Sequence, residues 1–243
     1  MAGLSAFTQT LMHMPPEAST GEAALALASA GIPVFPVAVA GKQPVTRHGF
    51  HDATTNLAQI RRWWSATPGA NIGMPTGAAS GLVVVDVDVH GPANGYVALD
   101  RADRAGLLDG WEALVRTPSE GLHAYYPATP GTEQRSWQVA RAGIDFRGDG
   151  GYIIVPPSSR IIDGERCVYR LEQVTRDQPQ PLDAGRLRRF LDPPPPPTHG
   201  SQSQVMDRGV DVERLAAWVG RLQEGERNHG LFWAACTMAE HHV

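Results

Sequence analysis

Gly81-Leu82-Val83-Val84-Val85-Asp86-Val87-Asp88-Val89-His90-Gly91 is the stretch on which the reading of this chain turns. Five valines and a leucine between two glycines predict a buried β-strand, because β-branched side chains pack well on a pleated surface. Side chains alternate across a strand, so Val83, Val85, Val87 and Val89 share one face. Leu82, Val84, Asp86 and Asp88 share the other. Two carboxylates thus stand together on an apolar ribbon, where mutual repulsion and burial both disfavour their charge. Two readings of the pair are open. Either a hard divalent cation such as Mg²⁺ or Mn²⁺ sits between them, or the strand ends there and both acids meet water.

Composition narrows the class. The chain has 243 residues, 42% of them hydrophobic and 19% charged, as expected of a globular protein with one large domain and a smaller piece. A net charge of −4 and a pI near 6.1 give no global attraction to nucleic acid, so any such surface must be local. Cys167 and Cys236 support neither a disulfide framework nor a cysteine-rich zinc site. A reduced, cytoplasmic setting follows. Residues 23–41 are uncharged and mostly apolar, but Gly31, Pro33 and Pro36 interrupt them and no basic segment precedes them. They read as core, with no membrane association.

Residues 1–18 show no periodicity and read as a mobile lead-in. Ser19-Thr20-Gly21-Glu22 is a capping-box pattern opening a helix that closes at Gly31. A short strand is expected over Pro33–Val39, then a turn carrying Lys42. Thr55 or Asn56 caps a helix with Leu57, Ile60, Trp63 and Trp64 inward, and Asn71–Gly77 is a glycine-punctuated lead into the acidic strand. Beyond it come a helix from Asn94, strands over 113–117 and 122–126, and short strands at 144–147 and 152–155. Arg160–Leu171 reads as a hairpin turning at Asp163-Gly164, and Leu182–Leu191 as a basic helix. A catalytic domain over 19–191 is then followed by a proline-rich linker at 192–204 and a small C-terminal helical segment at 205–243.

Three further clusters carry chemistry. Thr117-Pro118-Ser119-Glu120-Gly121-Leu122-His123 offers a hydroxyl and an imidazole beside a glycine turn, able to reach a phosphate oxygen, or is a hairpin with a surface histidine. Asp145 and Arg147 share one strand face, placing a carboxylate toward a metal and a guanidinium toward a triphosphate, or forming a local ion pair. Lys42 joins them only if the others hold; otherwise it is a solvated lysine.

The order of Lys42-Gln43-Pro44, Gly73-Met74-Pro75-Thr76-Gly77, Asp86-Val87-Asp88, Ser119-Glu120-Gly121-Leu122-His123 and Ile144-Asp145-Phe146-Arg147 resembles the bifunctional primase-polymerase (Prim-Pol) domain. This is a branch of the archaeo-eukaryotic primase superfamily found in phage and plasmid replication proteins. The resemblance covers about residues 22–172 and includes the run from Gly150-Gly151-Tyr152 to Pro156-Pro157-Ser158. It implies an α+β fold, with an RRM-like antiparallel sheet and flanking helices. Asp86, Asp88 and Asp145 would hold two Mg²⁺ or Mn²⁺ ions. His123 and Ser119 would grip an incoming NTP or dNTP, assisted by Arg147 and Lys42, with Thr76, Gly77 and Gly121 bringing backbone close. The partner would be a single-stranded DNA template.

The second motif departs from the family in carrying Glu120 where a small residue is common. No Cys/His cluster is visible, so no structural zinc is expected. The family often continues into a helicase, and Gly225-Glu226-Arg227-Asn228 resembles the connector after such domains, so a helicase domain or partner is expected. Arginines at 135, 141, 147, 160, 166, 170, 186, 188 and 189 are candidates for a template groove, and Trp137 for stacking a base. The competing readings are a non-catalytic single-stranded DNA-binding module that recruits a helicase, and another nucleotide-handling metalloenzyme.

Overall fold

Short polar side chains fix where the helices begin. In the computed structural model, which describes residues 3–90 and 93–193, Ser5 caps α1 (Ala6–Met12) and Ser19 caps α2 (Thr20–Ser29). Asn56 caps α3 (Leu57–Ala66), Asn94 caps α4 (Gly95–Arg104) and Asp183 caps α5 (Ala184–Leu191). Each cap oxygen accepts a backbone N–H that the first helical turn leaves unpaired. At α2 the capping box is complete: Glu22 N–H donates to Ser19 Oγ at 3.2 Å, and the Glu22 carboxylate accepts Ser19 N–H at 2.8 Å.

Eleven strands are present among the described residues. They are β1 (Phe35–Val37), β2 (Asn71–Pro75), β3 (Leu82–Val87), β4 (Ala113–Arg116), β5 (Leu122–Pro127) and β6 (Trp137–Val139). After them come β7 (Ile144–Arg147), β8 (Tyr152–Val155), β9 (Ser159–Ile162), β10 (Glu165–Val168) and β11 (Arg170–Val174). Six form one antiparallel sheet in the order β11-β4-β5-β3-β7-β6, and three form another, β1-β2-β8. β9 and β10 make a separate hairpin. The fold is α+β, with helices on antiparallel sheets, as expected from the sequence.

The valine-rich strand β3 lies inside the large sheet, between β5 and β7, and is covered on both faces. Val83, Val85 and Val87 enter a core with Ala98 and Ala102 of α4 and Leu187 of α5. Leu82 and Val84 enter the opposite core, closed by α1–α3 and the three-stranded sheet. Two cores on the two faces of one strand explain its nearly continuous apolar run.

Four sequence expectations change. The mobile lead-in gives way, over its described part, to α1, whose Phe7 is fully buried and stacks on Tyr125 at 4.8 Å between ring centroids. Buried Glu112 anchors it, accepting hydrogen bonds from the Ser5 and Thr8 hydroxyls and from Ser5 N–H. Asn71–Gly77 contains a fully buried strand rather than a lead-in, hidden in sequence because glycine and proline depress its strand signal. The hairpin expected over 160–171 ends at Val168, and β11 joins the edge of the large sheet beside β4. The acidic strand stops at Val87, leaving Asp88 exposed beyond it. The linker expected over 192–204 is described only at Asp192 and Pro193, and the helical segment expected over 205–243 lies outside the described residues.

Phe7→Ala removes a fully buried aromatic from the core and is expected to destabilise the fold by about 3 kcal/mol. Urea denaturation should show a lower midpoint with an unchanged slope.

Candidate active site

Antiparallel register sets the site. Directly paired residues of neighbouring strands face the same way, and one such row crosses the whole large sheet: Leu171, Val115, His123, Asp86, Asp145 and Gln138. Toward the β11 edge the row is apolar and belongs to the core. From His123 onward it is polar. The fold thus places the acid of β3 between the histidine of β5 and the acid of β7.

Asp86 and Asp145 are mostly buried, with side chains 23% and 22% exposed. Burial raises the pKa of both above the ordinary carboxylate value, opposed in each case by the charge of Arg147. Lys42 also lowers that of Asp86, while the hydrogen bond from Gln138 lowers that of Asp145. Arg147 Nη2 donates to Asp145 Oδ2 at 2.6 Å, and its Nε lies 3.8 Å from Asp86 Oδ2. Gln138 Nε2 donates to the same Asp145 oxygen at 2.8 Å. A carboxylate pair disfavoured by burial and by its own repulsion, and offset mainly by one guanidinium, suits a hard divalent cation.

His123 is 4% exposed, and its Nε2 lies 3.4 Å from Asp86 Oδ1. Burial, reinforced by the charges of Lys42 and Arg147, holds its pKa down to about 3, so the ring is neutral. Its Nδ1 has no hydrogen-bond partner among the described residues. The ring of Tyr169, 5.6 Å away, packs against it. A neutral imidazole beside two cations offers a hydrogen-bonding group to a polyanion without adding to the charge of the site.

Asp86, His123 and Arg147 of the large sheet face a cavity of about 250 Å³, which Tyr152 of β8, Lys42 and Tyr169 also line, while Asp145 stands beside Asp86 outside that lining. Two glycine turns join the sheets beside it, 76–81 and 148–151. Thr76 Oγ1 donates to Gly148 O at 2.6 Å, and Thr76 N–H to Gly151 O at 3.0 Å. Asp149 stitches the turns together, accepting Ala78 N–H at 2.9 Å and Gln134 N–H at 2.7 Å. Gly77 has φ +79°, and a Cβ there would lie 2.2 Å from Asp149 Oδ1, so only glycine fits.

Of the residues expected from sequence, Asp86, Asp145, His123, Arg147 and Lys42 come together. Asp88 does not join them: it is exposed, and its Oδ1 accepts His90 N–H at 3.0 Å. Among the described residues no three acidic, histidine or cysteine side chains converge as a ready-made metal ligand set. Ser119 sits on the β4–β5 turn, away from the cavity lining, its Oγ 3.5 Å from Thr117 Oγ1. Gly121 N–H is taken by Thr117 Oγ1 at 3.0 Å, and the Thr76 hydroxyl is used within the turns.

The arginines divide. Arg135 pairs with Glu133 and Arg141 with Asp192, while Arg186, Arg188 and Arg189 are exposed on α5, which packs on the sheet face opposite the cavity. Trp137 stacks on Phe146 at 5.4 Å between ring centroids. Gln138, Asp149 and Tyr169 escaped sequence reading. Gln138 sits on a three-residue strand too short to show alternation, and Tyr169 lies between two strands that read as one hairpin.

Comparison with protein families matches residues 24–184 to the bifunctional DNA primase/polymerase, N-terminal (Prim-Pol) family. The chain belongs to that family. Primase-polymerase activity, a nucleotidyl transfer with DNA and nucleotides as substrates, is therefore the general chemistry to be expected of the Prim-Pol site. No curated protein matches the chain. Among the described residues no helix is long and apolar enough to cross a membrane.

Gly77→Ala forces Asp149 from its seat and is expected to cost about 2 kcal/mol or more in urea denaturation. Nucleotide incorporation should fall with it, since the displaced turns border the cavity.

Proposed function

We propose that this chain synthesises and extends primers on single-stranded DNA by template-directed, metal-dependent nucleotidyl transfer in phage or plasmid replication. The observation that carries this reading is the row His123–Asp86–Asp145, whose first two members line one cavity with Arg147 and Lys42. In the reaction a primer 3′-oxygen bonds to the α-phosphorus of a nucleoside triphosphate. The bond to pyrophosphate breaks, and the hydroxyl proton is lost.

Asp86 and Asp145 are the residues that would hold Mg²⁺ or Mn²⁺, with Asp88 joining once it leaves the His90 N–H. Such ions, when bound, ease deprotonation of the 3′-hydroxyl and offset charge on the leaving pyrophosphate. Arg147 and Lys42 supply positive charge to the triphosphate, and Arg147 exchanges its bond to Asp145 for phosphate oxygens. His123, held neutral and fixed by Tyr169, gives or accepts one hydrogen bond at the cavity wall. Gln138 keeps Asp145 oriented.

The test is incorporation of labelled nucleotide on a single-stranded template with Mn²⁺, with and without an annealed primer. Product in both tubes is expected from the full chain. Asp86→Asn and Asp145→Asn should each lower the rate by at least about 100-fold. Both variants should melt at or above the wild-type temperature, because each removes a poorly compensated buried charge. Synthesis surviving both substitutions would refute the reading. DNA binding that ignores both Mn²⁺ and the acids, with no synthesis, would favour a binding module.

A further inference from the structure

The cavity also has an aromatic wall that the chemistry above leaves unused. Phe50, on the 3₁₀ turn Gly49–Asp52, and Tyr152, which opens β8, both line it. Their rings stack with centroids 5.7 Å apart and planes inclined by 29°. Behind them Phe35, fully buried in β1, meets Tyr152 edge-on at 5.4 Å. In front, the ring of exposed His51 lies 4.1 Å from that of Phe50. Four rings run from core to solvent.

Hydrogen bonds tie this ladder to its neighbouring turns. Tyr152 donates its hydroxyl to Lys42 O at 3.1 Å, tying the ring to the lysine turn. The Asp52 carboxylate accepts His48 N–H at 2.8 Å and lies 2.9 Å from its Nδ1. Thr46 Oγ1 donates to Gly49 O at 2.6 Å, so the turn under Phe50 is braced on both sides. The core needs Phe35, which is sealed from water. Phe50 and Tyr152 are only half-buried, and they edge the cavity that Lys42 and Arg147 also line. Cations and an aromatic wall at one cavity match the two ends of a nucleotide, its phosphates and its base.

We infer that Phe50 and Tyr152 form the stacking platform for the base of the nucleotide whose phosphates lie against Arg147 and Lys42. This rests on the nucleotidyl-transfer reading above. The exposed His51 ring covers Phe50 and gives way to the base, and the ring face so opened accepts every base and holds the larger purines more tightly than pyrimidines.

Calorimetric titration of the full chain with dATP, dCTP and inorganic tripolyphosphate, each with Mn²⁺, tests this. Phe50→Ala should weaken dATP about tenfold and dCTP less, leave tripolyphosphate unchanged, and be rescued by Phe50→Trp. Thermal melting checks folding, and Phe50→Leu, which keeps apolar volume but lacks a π-face, replaces the alanine variant if that one unfolds. Unchanged dATP affinity in the variant, with tripolyphosphate still bound, overturns the platform and leaves the nucleotidyl-transfer reading intact. Failure of both dATP and tripolyphosphate to bind the wild type removes the reading and the platform together. Loss of single-stranded oligonucleotide binding with dATP unaffected gives the rings to the template strand and overturns the inference.

Discussion

A strand buried on both faces can carry a charge only where its cover stops. β3 meets that condition at Asp86: before it, the side chains fill two cores, and after Val87 the strand ends. Register does the rest. Because β5 and β7 both run antiparallel to β3, His123 and Asp145 are carried to the two sides of the same carboxylate. One charged position therefore organises three strands, and the remaining site residues are arranged around its desolvation.

That arrangement sets stability against chemistry. Burial raises the pKa of Asp86 and Asp145 and lowers that of His123, each the direction expected when water is withdrawn from a charged form. Replacing the acids by apolar residues would relieve the strain. Keeping them leaves two desolvated carboxylates whose charge is only partly offset by Arg147 and Lys42. Functional sites commonly retain such unfavourable groups, and the surrounding core offsets the cost.

Much of this was legible before the structure. The valine run located β3, the Ser-x-x-Glu pattern located α2, and Asp145-Phe146-Arg147 gave the correct alternation for β7. Sequence periodicity works where an element is long or capped. It fails where a strand is only three residues long, as at Trp137–Val139, or is interrupted by glycine and proline, as at Asn71–Pro75. It also fails where pairing is decided at a distance. Nothing local shows that Arg170–Val174 leaves its hairpin for β4, or that Tyr169 thereby comes to rest against His123. Alternation alone puts Asp88 on the face of Asp86, but it could not show that the strand ends at Val87, one residue too soon to hold it there.

The N-terminal helix α1 has a wider consequence. It precedes the family-matched residues, yet its Phe7 covers Tyr125, and the hydroxyls of its cap Ser5 and of Thr8 meet the buried Glu112 carboxylate. Tyr125 is in turn a neighbour of His123, their ring centroids 6.3 Å apart. The segment recognisable by kinship is thus smaller than the unit that folds. A fragment trimmed to the shared residues would open a greasy socket one ring away from His123 and strand an acid in the interior. In this chain the boundary of relatedness and the boundary of self-sufficiency fall at different places.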